Sequence, residues 1–218
     1  PAATGAVFTQ NKMCAAPVLV SRKVAAKSYA QAIVVNSGCA NACTGEQGLK
    51  DAEAMQAQTA ELLGVENDAV YVCSTGVIGH FMPMDKLAKG IADAVDAMDE
   101  TAGESCAMAI QTTDTFIKHA AYEFELGGKT VKIAGIAKGA GMIHPNMATM
   151  LTFLTTDAAV APDVLKRAVK AAADKSFNMV VVDGDTSTND SMIVLANGLA
   201  ENEIIVSEEH PDYPAFFF

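Results

Sequence analysis

The sequence predicts an α/β or α+β domain built on mixed β-sheets, and three observations point there. Short apolar runs bounded by Ser, Thr and Gly alternate with longer stretches whose apolar residues recur at helical spacing. One pair of strand-like runs is joined by Gly127-Gly128, a two-residue turn that suits an antiparallel hairpin, so a purely parallel, doubly wound sheet does not fit. Half of the 218 residues are hydrophobic and 19% are charged, enough apolar material for a sizeable core in one domain or two tightly joined ones.

Taken in order, residues 31–36 read as a buried strand ending at Ser37-Gly38. Residues 48–63 read as a helix with Leu49, Ala52, Met55, Thr59 and Leu62 on one face, stopped by Gly64. A strand over 69–73 breaks at Ser74-Thr75-Gly76. A helix over 83–98 has Pro83 in its first turn and Leu87, Ile91 and Val95 inward. A strand over 107–111 ends at Thr112-Thr113-Asp114, and the hairpin pairs 119–126 with 130–137. Residues 149–154 form an apolar strand that opens on Thr149. Residues 162–175 form a helix with Val164, Leu165, Ala168 and Ala172 inward. A buried strand over 179–182 runs into the polar segment 183–190, followed by the apolar run 192–195. No repeat, low-complexity tract or linker interrupts this pattern.

Composition excludes several classes. The net charge is −11 with no Lys/Arg cluster, which argues against a nucleic-acid surface. No apolar run approaches the roughly 18 residues of a membrane span. The opening Pro-Ala-Ala-Thr-Gly-Ala-Val-Phe lacks the basic flank and apolar block of a signal peptide. That abrupt start and the apolar finish Pro-Ala-Phe-Phe-Phe lead us to expect a piece of a longer chain. Five cysteines are an odd count that fits a reducing cytoplasm. Cys39 and Cys43, four apart with no histidine nearby, read as small residues beside a glycine turn rather than as zinc ligands.

Several motifs fail on inspection. Gly139 and Gly141 begin a dinucleotide fingerprint, but His144 stands where its third glycine belongs. Gly128-Lys129-Thr130 resembles the end of a P-loop, but Glu123 occupies the first glycine position. The aspartates of 183–190 suggest a calcium loop, but its sixth place is Thr188 and its twelfth Val194. No serine sits in a nucleophile elbow. His80, His119, His144 and His210 are scattered and read as surface or turn residues.

What survives is a set of three polar turns, Ser74-Thr75-Gly76, Thr112-Thr113-Asp114 and Lys138-Gly139-Ala140-Gly141, each after an apolar strand, together with Thr149 at the start of another. Loops at strand ends are where sites form. The plain alternative is that Ser, Thr and Gly are good turn residues. Lys138, alone in a glycine loop of an acidic chain, is the candidate partner for a small anionic metabolite.

Five segments carry a resemblance. Gly76-Val77-Ile78-Gly79, Gln111-Thr112-Thr113-Asp114-Thr115, Lys138-Gly139-Ala140-Gly141-Met142, Pro145-Asn146-Met147-Ala148-Thr149-Met150-Leu151 and Asp183-Gly184-Asp185-Thr186-Ser187-Thr188-Asn189-Asp190 stand in this order and spacing. The chain thereby resembles the ornithine acetyltransferase family (glutamate N-acetyltransferases of the cyclic arginine pathway) along essentially its whole length. The resemblance implies one catalytic domain over 1–218 with the layered sandwich of a self-cleaving, N-terminal-threonine-nucleophile enzyme. It implies cleavage between Ala148 and Thr149 into an α part, 1–148, and an incomplete β part from 149 on, assembled as two α and two β. Thr149 would be the nucleophile, Thr75 and Gly76 the oxyanion hole, and Thr112, Lys138 and Thr149 the substrate-binding residues. The implied substrates are N-acetylornithine and glutamate, in the cytoplasm, without metal or cofactor. Some members also use acetyl-CoA as acetyl donor, and no CoA motif is legible here. Other family contacts, a glutamate among them, are expected beyond Phe218. Two rivals stay open: an aminopeptidase or amidase of the related self-cleaving fold, with water as acceptor, and a catalytically silent binding protein. For 183–190 the expectation is a hydrogen-bonded structural turn bordering the active site.

Overall fold

The computed structural model describes residues 1–142 and 150–217, so the expected cleavage point Ala148-Thr149 and the strand start at Thr149 lie outside the described residues. In chain order the elements are β1 (Ala2–Phe8), α1 (Ala16–Ala25), β2 (Tyr29–Ala30), β3 (Ala32–Cys39), α2 (Gly45–Leu63), β4 (Val70–Val77), α3 (Met84–Asp96), α4 (Gly103–Ala109), β5 (Lys118–Leu126), β6 (Lys129–Lys138), β7 (Leu151–Thr156), α5 (Pro162–Lys175), β8 (Ser191–Ala196) and α6 (Tyr213–Phe217). Single 3-10 turns occupy Asn67–Ala69 and Phe177–Met179.

Six strands form one sheet in the order β2-β1-β8-β7-β6-β5, and β3 and β4 form a second, parallel pair. The β5–β6 hairpin turns on Gly127 and Gly128, whose φ angles of 55° and 78° match the turn that fits right-handed strand twist. β7 and β8 are parallel, which requires a crossover, and α5 supplies it. Alternation along β8 then divides the core. Met192, Val194 and Ala196 pack under Val164, Leu165, Val169 and Ala173 of α5. Ile193 faces the other way, with Leu151 and Phe153, against Tyr71 and Cys73 of β4. On the far side of β4, Val72 meets Val20 of α1, Ala52 and Met55 of α2 and Ile91 of α3. The layers run helix, sheet, sheet, helix: the layered sandwich of mixed sheets that the resemblance implies.

β4 pairs with β3 on one edge only, so its other edge carries buried, unpaired backbone groups. Ser21 of α1 satisfies two of them, donating from Oγ to the Val72 carbonyl at 2.7 Å and accepting the Val72 N–H at 2.9 Å. Gln56 Nε2 donates to the Val70 carbonyl at 2.7 Å. Across the sandwich, the buried hydroxyls of Thr4 and Tyr71 share a hydrogen bond of 3.0 Å, and Thr4 also donates to the Val194 carbonyl.

Four expectations need correction. Residues 107–111 are not a strand: α4 covers Gly103–Ala109, and a short apolar run does not by itself distinguish the two. β4 does not break at Ser74-Thr75-Gly76, because pairing to Ser37 and Gly38 of β3 carries it to Val77. Residues 179–182 form no strand, and Met179 to Val182 are exposed rather than buried. Leu62 is 45% exposed, because repeated three-residue steps drift backwards around a 3.6-residue helix and leave it off the packed face. On α5, Val169 and Ala173 are buried beside the expected Val164, Leu165 and Ala168, while Ala172 is half-buried. The strand and helix before residue 30 have no counterpart in the sequence reading.

Ser21→Ala is expected to leave both backbone groups of Val72 unsatisfied in the core and to lower stability by about 1–3 kcal/mol. Chemical denaturation of the two proteins measures it, and an unchanged midpoint would remove Ser21 from the account of the β4 edge.

Candidate active site

The sheet register decides which residues meet. Lys138, the last residue of β6, stands opposite Leu151, the first of β7, and Leu151 stands beside Ser191, the first of β8. Phe8, the end of β1, pairs with Ser191. Four strands therefore begin or end at one edge of the large sheet.

Lys138 is 3% exposed, and its side chain leaves this edge toward the second sheet. Its Nζ donates to Thr75 Oγ1 at 3.0 Å and to Thr112 Oγ1 at 2.9 Å. An ammonium only donates, so both hydroxyls act as acceptors toward it. Each threonine O–H is left to donate elsewhere, and donation is strengthened by the positive charge behind it. The third ammonium proton has no acceptor among the described residues. The cluster is thus a set of hydrogen-bond donors around one buried cation.

Thr75 and Gly76 lie near the C-terminal end of β4. Gly76 has φ of +134°, and a Cβ there would stand 2.2 Å from the Gly38 carbonyl carbon. Only glycine permits this close approach of β3 and β4, next to a bulge at Cys39. Ser74 Oγ donates to Asn36 Oδ1 at 2.6 Å, and the Asn36 amide donates to the Cys39 carbonyl at 2.9 Å.

Thr112 follows α4, whose end is tied to β3 by Ser37 Oγ donating to the Ala109 carbonyl at 2.7 Å. Asp114 organises the rest of this loop. Its Oδ1 accepts from Lys118 Nζ at 2.6 Å and from Gly139 N–H at 2.8 Å, and its Oδ2 accepts from Thr112 N–H at 3.4 Å. One carboxylate thus fastens the Thr112 turn to the glycine loop after Lys138.

The segment 187–190 closes the arrangement. Asn189 Nδ2 donates to the Ala40 and Ser74 carbonyls at 2.6 and 2.8 Å. Asp190 Oδ1 accepts the Met150 N–H at 3.0 Å, and the Asp190 carbonyl accepts the Thr9 N–H. Asx and Ser contacts hold the turn itself, with Asp185 N–H on Asp183 Oδ1 and Asn189 N–H on Ser187 Oγ. Asp183 Oδ2 also accepts the Met142 N–H at 2.5 Å, tying this turn to the glycine loop.

Burial shapes the charges. It pushes the Lys138 ammonium below its ordinary range, helped by Lys118 and opposed by the charges of Asp114 and Asp190. It pushes the Asp190 carboxyl up to about 8, against the Met150 N–H, the Ser187 hydroxyl and the Lys138 charge. Burial also raises Asp114, but Lys118, Gly139 and Thr112 outweigh it and hold that carboxyl below the usual range. Cys73, buried beside Ser191, is pushed to about 12 and stays a thiol. Among the described residues, no group of three or more His, Cys, Asp or Glu is arranged to hold a metal ion. An open apolar groove of about 490 Å³, lined by Phe116, Tyr122, Ile133 and Phe177 among others, includes none of Lys138, Thr75 or Thr112.

The structure therefore brings Thr75, Gly76, Thr112 and Lys138 together, while Ala148 and Thr149 lie outside the described residues. The Thr112 turn follows a helix, not a strand. The sequence reading gave no role to Asn36, named Asp114 only as part of a turn, and gave Asn189 and Asp190 only a place in the hydrogen-bonded structural turn 183–190. Nothing in one sequence separates such buried, bonded polar residues from ordinary turn residues.

A model of the ArgJ family matches residues 1–217. The chain is 53% identical over 217 residues to the arginine biosynthesis bifunctional protein ArgJ of Bacillus licheniformis, spanning 99% of this chain and 53% of that protein. The chain thus spans about half the length of the relatives it matches. Among solved structures it is similar to the arginine biosynthesis bifunctional protein ArgJ of Bacillus halodurans, with TM-score 0.59, 45% identity, and coverage of 68% of this chain and 76% of that one. It is also similar to the ornithine acetyltransferase of Mycobacterium tuberculosis complexed with ornithine, with TM-score 0.58, 36% identity, and coverage of 69% and 78%.

Gly76→Ala is expected to force β3 and β4 apart at their ends and to cost at least about 2 kcal/mol. It also displaces Thr75 from Lys138. Thermal denaturation with a structure of the variant checks both effects, and an unshifted strand pair with full stability would show that the close approach is dispensable.

Proposed function

The chain belongs to the ArgJ family, and from that premise we propose that it carries the acyl-transfer site of an arginine-biosynthesis enzyme that moves an acetyl group from N-acetylornithine to glutamate. The observation that carries this reading is the buried Lys138 ammonium donating to both Thr75 and Thr112. An acyl transfer needs fixed donors where negative charge develops on the carbonyl oxygen, and this cluster offers donors in a buried setting.

In the proposed reaction the chain is first cut between Ala148 and Thr149. The freed α-amine of Thr149, with an unperturbed pKa near 8, then supplies a base beside the hydroxyl. Thr149 Oγ attacks the acetyl carbonyl while its proton passes to the α-amine. The oxyanion is held by Thr75 and Gly76. Collapse breaks the C–N bond, the ornithine amine takes the proton, and an acetyl-threonine ester remains. Glutamate enters, its amine attacks the ester, and Thr149 is regenerated. An amide is exchanged for an amide, so the overall free-energy change is small. Lys138 and Thr112 orient the substrate, with Lys138 answering its carboxylate or the developing charge.

This reading uses no metal or cofactor, because Thr149 supplies both nucleophile and base. It places the enzyme in the cytoplasm, with the α and β parts associated as two copies of each. The word bifunctional in the relatives' name favours a second activity, which we assign to acetylation of glutamate from acetyl-CoA at the same threonine.

Thr149→Ala in the full-length protein is expected to give one uncut, inactive chain by mass spectrometry, and Thr149→Ser some cutting. Cleavage at the same bond in Thr149→Ala would rule out Thr149 as the attacking group. Lys138→Ala is expected to lose at least about ten-fold in kcat/KM, the value of a charge-assisted contact of roughly 1.5–3 kcal/mol. Wild-type kinetics in a cut Lys138→Ala enzyme would remove the lysine from the site.

A further inference from the structure

Asp190 is the residue before β8 and is 1% exposed. Its two carboxyl oxygens have different surroundings. Oδ1 accepts the N–H of Met150, the residue that follows Thr149 in the chain. Oδ2 is buried and makes no hydrogen bond of ordinary geometry among the described residues, with the Ser187 hydroxyl a neighbour that favours the charged form of the carboxyl. A buried carboxyl oxygen left in this state is a burden on the fold, and such groups concentrate where chemistry needs them. The strand register that aligns Lys138 with Leu151, and Leu151 with Ser191, sets Lys138 at the same sheet edge. No ion pair joins the two side chains among the described residues; the Lys138 charge favours the carboxylate form of Asp190, less than burial opposes it, and the Asp190 charge favours the ammonium form of Lys138.

We propose that Asp190 is a positioning residue of the acyl-transfer site: Oδ1 fixes the peptide that leads into β7, and Oδ2 makes the carboxyl an ionisable counter-group that sets the charge on Lys138. Its catalytic consequence rests on the reading of the previous subsection; the coupling of the two side chains does not.

Among the described residues, the neighbouring groups leave Lys138 as the main charge acting on Asp190. Cys73 on β4 stays neutral. Arg22 of α1 is engaged with the Thr9 carbonyl at 2.6 Å. Asp114 and Lys118 act on Lys138. Asp183 bonds the glycine loop at Met142. The carboxyl, raised to about 8, is protonated near neutrality and becomes a carboxylate in mild alkali. Once ionised it favours the ammonium form of Lys138, and a substrate anion competes with it for that same ammonium. The stability consequence has a definite sign. Below about pH 4 the carboxyl is protonated in both folded and unfolded chains and has no effect. As pH rises toward 8 the unfolded chain ionises first, so the folded state is progressively penalised.

Asp190→Asn keeps the shape and the acceptor for Met150 but cannot ionise, and the test uses it in the full-length protein beside Lys138→Met. With 13C-labelled aspartate, wild type is expected to show one carboxyl titrating near pH 8. That signal should be absent in Asp190→Asn and displaced upward by about one pH unit or more in Lys138→Met. Asp190→Asn should gain stability relative to wild type from about pH 4 to 8. The alkaline limb of its kcat/KM profile should move to lower pH, because Lys138 has lost its counter-group. A merely structural role moves neither the titration nor the limb. Absence of any aspartate titrating above about pH 6, or a titration indifferent to Lys138→Met, overturns the proposal. If Asp190→Asn does not fold, the titrations of wild type and Lys138→Met decide. If the coupling is found but the enzyme transfers no acetyl group, the coupling stands and the acyl-transfer reading falls.

Discussion

Two adjacent residues in one buried segment join the two sheets beside the Lys138 cluster. Asn189 donates to the carbonyls of Ala40, just after β3, and of Ser74 within β4. Asp190 next to it accepts the Met150 N–H and, through its carbonyl, the Thr9 N–H of the large sheet's edge. The same segment receives Thr9 Oγ1 on the Ser187 carbonyl and Ala15 N–H on the Thr188 carbonyl. Hydrophobic contact alone is non-directional and would let the two sheets slide. Directional bonds to four backbone segments fix their strand ends face to face, and the donor cluster around Lys138 follows from that alignment.

The cluster carries an energetic conflict that the fold tolerates. An ammonium buried at the sheet edge loses hydration, and two threonine hydroxyls replace only part of it. Two carboxyl groups act on it from opposite sides of the sequence. Asp114 stays ionised because Lys118 and two backbone N–H groups hold it, whereas Asp190 is driven toward its neutral form. The result is a cation whose compensation is incomplete, and an incompletely compensated buried cation attracts an anion. In a chain of net charge −11 it is a local basic group, buried against two hydroxyls.

Much of the fold was legible because its signals are local. The Gly127-Gly128 turn dictated the hairpin, the helical spacing of Val164, Leu165 and Ala168 marked α5, and Gly64 marked the end of α2. The failures share a different cause. Residues 107–111 and 179–182 are short apolar runs, and whether such a run becomes helix, strand or exposed turn is settled by what lies against it. β4 passes through Ser74-Thr75-Gly76 because β3 supplies partners that composition does not reveal.

For the site the division is similar. The sequence by itself determined which residue types stand at the turns: Thr75-Gly76, Thr112, the lone Lys138 in its glycine loop, and the five ordered segments that mark the family. It also determined that Gly76 had to be glycine once β3 and β4 met there, because a Cβ has no room. Only the tertiary structure decided that Lys138 touches both threonines, that Asp114 ties two loops together, and that Asn189 and Asp190 join the sheets. Those contacts span tens of residues of chain, and their strength comes from burial, a property that no residue possesses until its neighbours from elsewhere in the sequence have excluded the water around it.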